Sequence, residues 1–352
     1  MKREDFFDKI YYFKEKGGKL PELRKDPVSQ RWVIIATERI KKPYDFSKSV
    51  SEESKHNFCP FCYGNEDKTP PEIYALRNPP SPPNTPGWQV RVVPNKFPVL
   101  RVEGGLNRRG EGMYDMMDGI GAHEVIIETP EHDKNITELD YNHLQKVILV
   151  YKTRALDLKN DIRFEYILIF RNYGKLAGAS LEHPHSQLIA TPIIPKRVAE
   201  EINGAKFHYE YKERCVFCDI IRQEMKDSVR VILENRNFIS FAPFAPRFPF
   251  ETWILPKKHN ADFLTISDEE AFDLAKILKD TLLKIKKALN NPPYNYIIHT
   301  SSLRKQDGYY MHWHIEITPK LIELAGFELG SGFYINPTPP EEAAKYLKEI
   351  EI

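Results

Sequence analysis

The sequence has no long uninterrupted run of apolar residues. A membrane-spanning helix needs about 20 consecutive, predominantly apolar residues, and no segment of this 352-residue chain approaches that length. The opening stretch, MKREDFFDKIYYFKEKGGK, is charged throughout and lacks the apolar stretch and the small-residue cleavage site of a signal peptide. We therefore expect a cytoplasmic protein that has no membrane partner.

The chain also lacks an excess of charge of either sign. Its 51 lysine and arginine residues nearly balance its 50 aspartate and glutamate residues. A protein that binds nucleic acid must neutralise many phosphates, and it commonly has a basic excess for that reason. The composition therefore gives no electrostatic case for a nucleic-acid partner, and it favours chemistry on small molecules.

Cysteine is scarce, and all of it is paired in sequence. The four cysteines form two Cys-x-x-Cys motifs, Cys59 with Cys62 and Cys215 with Cys218. In a reducing compartment such pairs are more often metal ligands than disulfides, because two thiolates at this spacing can bind one tetrahedral Zn²⁺. A redox dithiol is one alternative, and a single zinc knuckle built from all four cysteines is another.

The two halves of the chain repeat the same series of features. Each half has a Cys-x-x-Cys motif, a strand-like segment followed closely by a proline and a histidine, and a helical segment. Each then closes on an apolar strand, a loop and a His-x-His motif. Several correspondences in the same order indicate a duplicated unit. They predict an N-terminal lobe of residues 1–195 and a C-terminal lobe of residues 196–352.

Periodicity gives the coarse structure of each lobe. Short β-branched or aromatic segments bounded by proline, glycine or charge, such as HEVIIET and TWILP, predict strands. Two long segments carry apolar residues at helical spacing, with Thr137 and Ser267 as expected N-caps. The predicted class is α+β, with two similar lobes that each combine a mainly antiparallel sheet with one long helix.

Each half offers two cysteines and several histidines for a four-ligand metal site. The histidines of a His-x-His motif on a strand point to the same side. The candidate sets are Cys59, Cys62 and His132 with His183 or His185, and Cys215, Cys218 and His259 with His312 or His314. His123 is another candidate in the first half, but its counterpart in the second half is not histidine.

The first His-x-His motif, in HPHSQ, has a chemical interpretation beyond metal binding. One histidine completes the metal site, so its neighbour is held rigidly as a nucleophile or general base. The preceding loop, NYGKLAGAS, offers backbone N–H groups for a phosphate. Gln187, two residues beyond His185, can donate an amide hydrogen bond to a phosphoryl oxygen. The combination predicts nucleotidyl transfer.

HPHSQ, with NYGKLAGAS before it and a Cys-x-x-Cys far upstream, resembles the galactose-1-phosphate uridylyltransferase family of the histidine-triad superfamily. The resemblance implies histidine-triad-like lobes, a homodimer, and a sugar nucleotide and a hexose 1-phosphate as partners. It implies a ping-pong reaction in which a histidine attacks the α-phosphorus of a UDP-hexose and releases hexose 1-phosphate. A second hexose 1-phosphate then takes the nucleotide from the histidine.

The resemblance also assigns residues. It makes His185 the nucleophile, His183 a zinc ligand and Gln187 the phosphate-binding amide. The implied nucleotide and phosphate site comprises Arg39, Asn95, Asn172, Gly178 and Ser180. The implied zinc sites are Cys59, Cys62, His132 and His183, and Cys215, Cys218, His259 and His312. Two zinc ions per chain are expected, with iron as an alternative in the second site.

The C-terminal stretch GFELGSGFYIN departs from the uridylyltransferases. Phe327 fits as a hexose contact, but Gly326 stands where the family has lysine. This pattern is closer to an ADP-glucose phosphorylase-like branch, whereas the HPH motif is typical of uridylyltransferases. We expect UDP-glucose–hexose-1-phosphate uridylyl transfer in galactose metabolism. The alternatives are adenylyl transfer and a non-catalytic, zinc-stabilised nucleotide-binding protein.

Two histidines of the second half have an alternative role as metal ligands. Either His299 or His314 could be an iron ligand, with Glu200 or Glu201 alongside, as the resemblance allows for one branch of the family. We expect them instead to be hydrogen-bonded strand residues.

Overall fold

The computed structural model describes residues 20–36, 41–46, 58–305 and 307–352. Its α-helices in that part of the chain are α1 (Tyr141–Leu158), α2 (Lys196–Lys212), α3 (Val216–Asp227), α4 (Asp268–Ala288), α5 (Gly326–Ser331) and α6 (Pro340–Glu349). Its strands are β1 (Glu22–Lys25), β2 (Trp32–Ile35), β3 (Tyr74–Arg77), β4 (Trp88–Pro94), β5 (Arg109–Glu111), β6 (Tyr114–Met116), β7 (Ala122–Ile127), β8 (Tyr166–Tyr173), β9 (His185–Thr191), β10 (Val231–Glu234), β11 (Phe238–Phe241), β12 (Thr252–Pro256), β13 (Tyr294–His299), β14 (His314–Pro319) and β15 (Tyr334–Asn336).

A ten-stranded sheet forms the centre of the molecule, in the order β10-β11-β12-β14-β13-β8-β9-β7-β4-β3. Its neighbouring strands are antiparallel throughout. Five strands come from each half, in mirrored order, and β8 joins β13 at the middle. The α+β class with antiparallel strands is confirmed, and the two halves share one continuous sheet. The division at residues 195 and 196, between β9 and α2, stays a prediction.

The two long helices cover one face of this sheet. Helix α1 buries an apolar stripe that includes Leu144, Val147 and Ile148, and α4 buries the corresponding stripe of the second half. Both stripes belong to one apolar core that also contains strand residues such as Ile126 and Phe238. The apolar residues that recur at helical spacing in the sequence therefore form the helix face that contacts the sheet.

The Cys-x-x-Cys motifs lie on the opposite face. In the first half, Cys59 and Phe61 pack with Trp88 and Val125 in a small apolar cluster. In the second half, α2 and α3 cover β11 and β12, and α3 begins directly after Cys215. Each half thus places its cysteines on the side of the sheet away from its long helix.

The helix starts follow one expectation and contradict another. Ser267 and Glu270 form a capping box at the start of α4, as expected. For α1 the expected N-cap, Thr137, is wrong: Asp140 is the N-cap and accepts a 2.8 Å hydrogen bond from the His143 N–H. A carboxylate directly before the first helical residue satisfies a free N–H there, whereas Thr137 lies a turn too early. No described helix has the length and apolarity that crossing a bilayer requires.

Candidate functional site

Four predicted ligands converge in the first half. The Cys62 Sγ lies 3.3 Å from His132 Nδ1 and 3.6 Å from His183 Nδ1, and the Cys59 Sγ lies 3.6 Å from His183 Nδ1. Bonds of about 2.3 Å to sulfur and about 2.0 Å to nitrogen, at a tetrahedral angle, put sulfur and nitrogen about 3.6 Å apart. These donors therefore have the spacing of the ligands of one tetrahedral metal ion.

The surroundings orient these ligands toward a common centre. The Nε2–H of His183 donates to the Thr129 carbonyl at 2.7 Å, so the lone pair of Nδ1 faces the cysteines. Without an ion, burial and the neighbouring Cys59 thiolate raise the pKa of Cys62 to about 11. A bound cation reverses that balance, because it stabilises both thiolates.

The second half repeats the arrangement. The Cys218 Sγ lies 3.4 Å from His259 Nδ1 and 3.7 Å from His312 Nδ1, and Cys215 completes the group. The Nε2–H groups of His259 and His312 donate to the carbonyls of Gly308 and Pro256. The described structure thus brings together both four-residue sets, and His183 and His312 are the members of the two His-x-His motifs that join them. The two Cys-x-x-Cys motifs lie in separate groups, so the four cysteines do not form a single zinc knuckle.

His185, the predicted nucleophile, is the first residue of β9 and only 6% exposed. Its Nδ1–H donates to the carbonyl of His183 at 2.8 Å, which leaves the lone pair on Nε2. Burial lowers the pKa of His185, so the ring stays neutral. The Phe61 ring packs edge-on against it, 5.5 Å between centroids. A neutral imidazole with a fixed tautomer is the form that attacks phosphorus.

Two predicted amide residues lie on the same face of the sheet as His185. The Gln187 Oε1 is 2.8 Å from His123 Nε2, and the Asn95 Nδ2 is 3.0 Å from the same nitrogen. Sequence reasoning considered His123 only as a rival metal ligand, and missed this role. The sequence shows that His123 alternates with Val125 and Ile127 on one strand, but it does not show that this strand pairs with the HPHSQ strand.

The loop before HPHSQ is arranged differently from the expectation. Gly178 has φ +89°, a conformation that favours glycine, and a Cβ at this position would lie 3.6 Å from the Asn172 Nδ2. The N–H groups of Gly178 and Ala179 donate to carbonyls within the loop, so they are not open to a phosphate. Ser180 is exposed. The Asn172 side chain accepts a 2.8 Å hydrogen bond from Asn295 of the second half.

Two further predicted residues remain, Arg39 and Phe327. Arg39 lies outside the described residues. Phe327 is on α5, half exposed, and its aromatic contact in the described chain is with Phe333.

A buried polar network lies beneath β9, and sequence reasoning missed it. The Glu128 carboxylate accepts hydrogen bonds from Ser186 and from Arg171, the latter at 3.1 Å to each oxygen. The Tyr151 hydroxyl lies 2.6 Å from Ser186 Oγ and 2.6 Å from the Tyr296 hydroxyl. The Glu128 N–H also donates to the Pro184 carbonyl. The network therefore supports the HPHSQ motif from the side opposite His185.

Glu201, His299 and His314 form a third buried cluster in the second half. His299 lies 2.9 Å from Glu201 and 3.4 Å from Glu316, close enough for ion pairing although out of line for hydrogen bonding. Burial disfavours its charge, but the two carboxylates outweigh this and raise the pKa of His299 to about 10. The rings of His299 and His314 are parallel, stacked 4.6 Å apart. Imidazole lone pairs lie in the ring plane, so in this arrangement the two rings do not converge on one ion.

Comparison with known proteins places this geometry in a family. Residues 13–195 match the family model described as galactose-1-phosphate uridyl transferase, N-terminal domain. The chain belongs to the galactose-1-phosphate uridylyltransferase family. Residues 134–350 also match a model described as a domain of unknown function, DUF4921.

The relatives within this family carry two different names. An ADP-glucose phosphorylase of Arabidopsis thaliana is 40% identical, over 94% of this chain and 93% of its own. A galactose-1-phosphate uridylyltransferase of Thermotoga maritima is 31% identical, over 94% of this chain and 99% of its own. The crystal structure of an Arabidopsis thaliana ADP-glucose phosphorylase with bound ADP-glucose matches with a TM-score of 0.79 and 37% identity, covering 94% of this chain and 100% of that one.

Proposed function

We propose that this chain is a nucleotidyltransferase in which His185 carries the nucleotidyl group between two phosphate compounds. The observation that carries the proposal is the tautomer of His185. Its Nδ1–H is held by the His183 carbonyl at 2.8 Å, so Nε2 has the free lone pair. The ring is buried beside a four-ligand site that fixes the backbone on its N-terminal side.

The reaction takes two balanced steps. In the first, the Nε2 lone pair forms a bond to the α-phosphorus of a nucleoside diphosphate sugar, and the bond from that phosphorus to the leaving oxygen breaks, releasing hexose 1-phosphate. The Nδ1 proton stays in place, and the His183 carbonyl stabilises the positive charge on the substituted ring. In the second step, an oxygen of the acceptor phosphate attacks the phosphorus and the N–P bond breaks.

The amides beside His185 have a role in both steps. We assign Gln187 and Asn95, whose side chains meet at His123, as hydrogen-bond donors to the phosphate oxygens. Negative charge on these oxygens increases as the phosphorus is attacked, so fixed N–H donors favour the transition state. Asn172, Gly178, Ser180, Arg39 and Phe327 remain proposed substrate contacts.

ADP-glucose is the proposed donor and inorganic phosphate the proposed acceptor. The support is the higher identity to the relative named ADP-glucose phosphorylase, 40% against 31% for the uridylyltransferase of Thermotoga maritima. Gly326 in place of the family's lysine agrees with this choice. The second candidate is uridylyl transfer from UDP-glucose to a hexose 1-phosphate, which the proline between His183 and His185 favours.

Zinc is the proposed ion in both four-residue sites, because two thiolates and two imidazoles in tetrahedral spacing are its usual ligands. A bound zinc ion would join the 58–62 segment to His132 and His183 and so hold the segment that leads into His185 at the start of β9. We also propose that the chain acts as a homodimer.

Intact mass spectrometry after brief incubation with ADP-glucose or UDP-glucose tests the function. An adenylyl adduct mapped to His185 supports the first candidate, and a uridylyl adduct on the same residue supports the second. Release of the adduct as ADP by inorganic phosphate, or as UDP-hexose by hexose 1-phosphate, identifies the acceptor. Binding of ADP-glucose and UDP-glucose without any adduct would indicate a non-catalytic binding protein and would contradict the proposal.

A further inference from the structure

We infer that His123 is a positioning residue that orients the amide of Gln187, so that its NH₂ group, beside that of Asn95, is offered to substrate phosphate oxygens. This deepens the proposed function and rests on it. The three side chains meet at one nitrogen, the Nε2 of His123, 2.8 Å from the Gln187 Oε1 and 3.0 Å from the Asn95 Nδ2.

The backbone determines which nitrogen of His123 carries the proton. The peptide N–H of Val99 points at His123 Nδ1 from 3.3 Å. A peptide N–H can only donate, so Nδ1 must be the acceptor and must lack a proton. In a neutral imidazole the proton is then on Nε2.

The orientation of Gln187 follows from this tautomer. Because Nε2 carries a proton, it donates to an oxygen, and the Gln187 Oε1 is the oxygen within reach at 2.8 Å. The two ends of an amide are nearly equal in shape, so a hydrogen bond of this kind is what distinguishes them. With its oxygen engaged, Gln187 can offer its NH₂ group to an anion, since no hydrogen bond among the described residues uses that group. The reversed amide would present oxygen to a phosphate and repel it.

Asn95 is fixed by an independent contact. The Phe97 N–H donates to the Asn95 Oδ1 at 2.9 Å, so the NH₂ end of Asn95 is the end near His123. The Nε2 of His123 already carries a proton, and it therefore offers no lone pair to that NH₂ group. Asn95 thus has donor hydrogens without an acceptor in His123. An anionic substrate would supply one.

The sheet holds the three residues at these distances. In the register of β7 and β9, Val125 is opposite Gln187 and Ile127 is opposite His185, so His123 shares their face. The Asn95 N–H donates to the His123 carbonyl at 2.8 Å, which extends the pairing of β4 with β7. His123 is 9% exposed. The imidazole therefore sits on a rigid surface, and not on a loop.

A double-mutant cycle separates positioning from a structural role. We would measure the single-turnover rate of nucleotidyl-His185 formation for His123→Leu, Gln187→Ala and the double variant. In His123→Leu the Gln187 NH₂ group is still present but is no longer oriented, so adduct formation should be about tenfold slower. In the Gln187→Ala background the same change should cost less than about twofold, because the group it acts on is gone. An equal loss in both backgrounds would overturn the inference.

Two further variants test the chemical basis. His123→Gln puts an amide N–H near the position of Nε2, and it should keep the rate within about threefold of the wild type. His208→Leu is the matched control, because His208 is a half-buried histidine of α2 that bonds Asp219 at 3.0 Å, away from the site. It should leave the rate unchanged. A His123→Gln enzyme as slow as His123→Leu would contradict a donor role.

Two measurements do not need turnover. ¹⁵N NMR of histidine-labelled protein without substrate should show His123 neutral with its proton on Nε2, the signal being assigned by its loss in His123→Gln. A proton on Nδ1 would overturn the inference whether or not the enzyme is active. If the wild type forms no adduct, the proposed function fails, and calorimetric affinity for ADP and for UDP replaces the rate in the same cycle. His123→Leu should then weaken binding, and unchanged affinity would count against His123.

Discussion

The Nδ1 of His185 lies 2.8 Å from the carbonyl oxygen of His183, so the proposed nucleophile is hydrogen-bonded to the backbone of a proposed metal ligand. The second half repeats the relationship, with His314 Nδ1 3.0 Å from the His312 carbonyl. The surroundings of His314 do not suit it to act as a nucleophile. His314 is buried between Trp253 and His299, and a carboxylate, Glu316, stands where the first half has Gln187. We therefore expect only His185, of this repeated pair, to be reactive.

Substitution of the two histidines of HPHSQ should have separable effects. His185→Ala should abolish the nucleotidyl adduct while the protein keeps its fold and its metal, because His185 is not a ligand. His183→Ala should lose the first metal ion and lower the melting temperature, because it removes one of four ligands. Adduct mass, metal content and thermal unfolding of each variant check this.

His314→Ala is the matched control for that pair, since it removes the corresponding ring of the second half. It should leave adduct formation on His185 in place. An active His185→Ala enzyme, or equal metal content in His183→Ala and wild type, would refute the assignment.

The pH dependence of the first step should reflect the burial of His185. The attacking ring must be neutral, and burial lowers its pKa from the ordinary value of about 6.5. Because protonation inactivates the nucleophile, kcat/KM should be flat from neutral pH down to about 6.5 and fall only at lower pH. We would measure kcat/KM between about pH 4.5 and 8 and compare the midpoint of its acid limb with the ordinary histidine pKa.

Metal content at each pH must accompany that profile, because acid also protonates the cysteine and histidine ligands. Enzyme returned from acid to neutral pH should recover full activity over the range in which its metal stays bound. An acid limb centred at or above the ordinary histidine value, with metal retained, would contradict a buried, neutral nucleophile.

The two metal sites should differ in their effect on activity. Elemental analysis of the purified protein should find two ions per chain. Cys59→Ser should lose one ion and slow adduct formation strongly, because the first site includes His183. Cys215→Ser should lose the other ion and some thermal stability but retain adduct formation, since the second site supports α3 and β14 and is not next to His185. Equal loss of activity in both variants would mean that the second site also serves the reaction.

The sequence predicted those parts of the site that depend on local spacing and repetition. Cys59 with Cys62, and His183 with His185, are separated by two or three positions, so local geometry alone places the members of each pair near each other. The internal repeat of the sequence then identified His132 and His259 as candidate ligands. The role of His123 could not be predicted, because it depends on the register of β7 against β9. A shift of one residue would send His123 to the other face of the sheet.

The same limit applies to the loop and to the buried network. The Gly178 and Ala179 N–H groups were expected to be open to phosphate, but a tight turn uses them for its own hydrogen bonds. Arg171 and Glu128 lie 43 positions apart, on β8 and directly after β7. Nothing in the local pattern of either segment signals their contact. Only the packed sheet brings the two charges together.

The pair of Arg171 and Glu128 should make a large contribution to stability that depends on both partners. Glu128 is completely buried and Arg171 nearly so. Removing the arginine alone, in Arg171→Met, leaves the buried Glu128 carboxylate without its countercharge, which should lower the free energy of unfolding by about 3–5 kcal/mol. The double variant with Glu128→Gln has no unpaired charge, so it should lose less than the sum of the single losses.

Urea denaturation at a fixed zinc concentration measures this cycle. Arg236→Met provides the matched control, because it removes the same side chain from the exposed ion pair with Glu269. Water and salt screen an exposed pair, so the control should unfold at nearly the wild-type urea concentration. Additive losses in the cycle would show that Arg171 stabilises the fold independently of Glu128. Its other hydrogen bonds, to the Tyr294 hydroxyl at 2.8 Å and to Asn135 at 2.6 Å, would then account for its contribution.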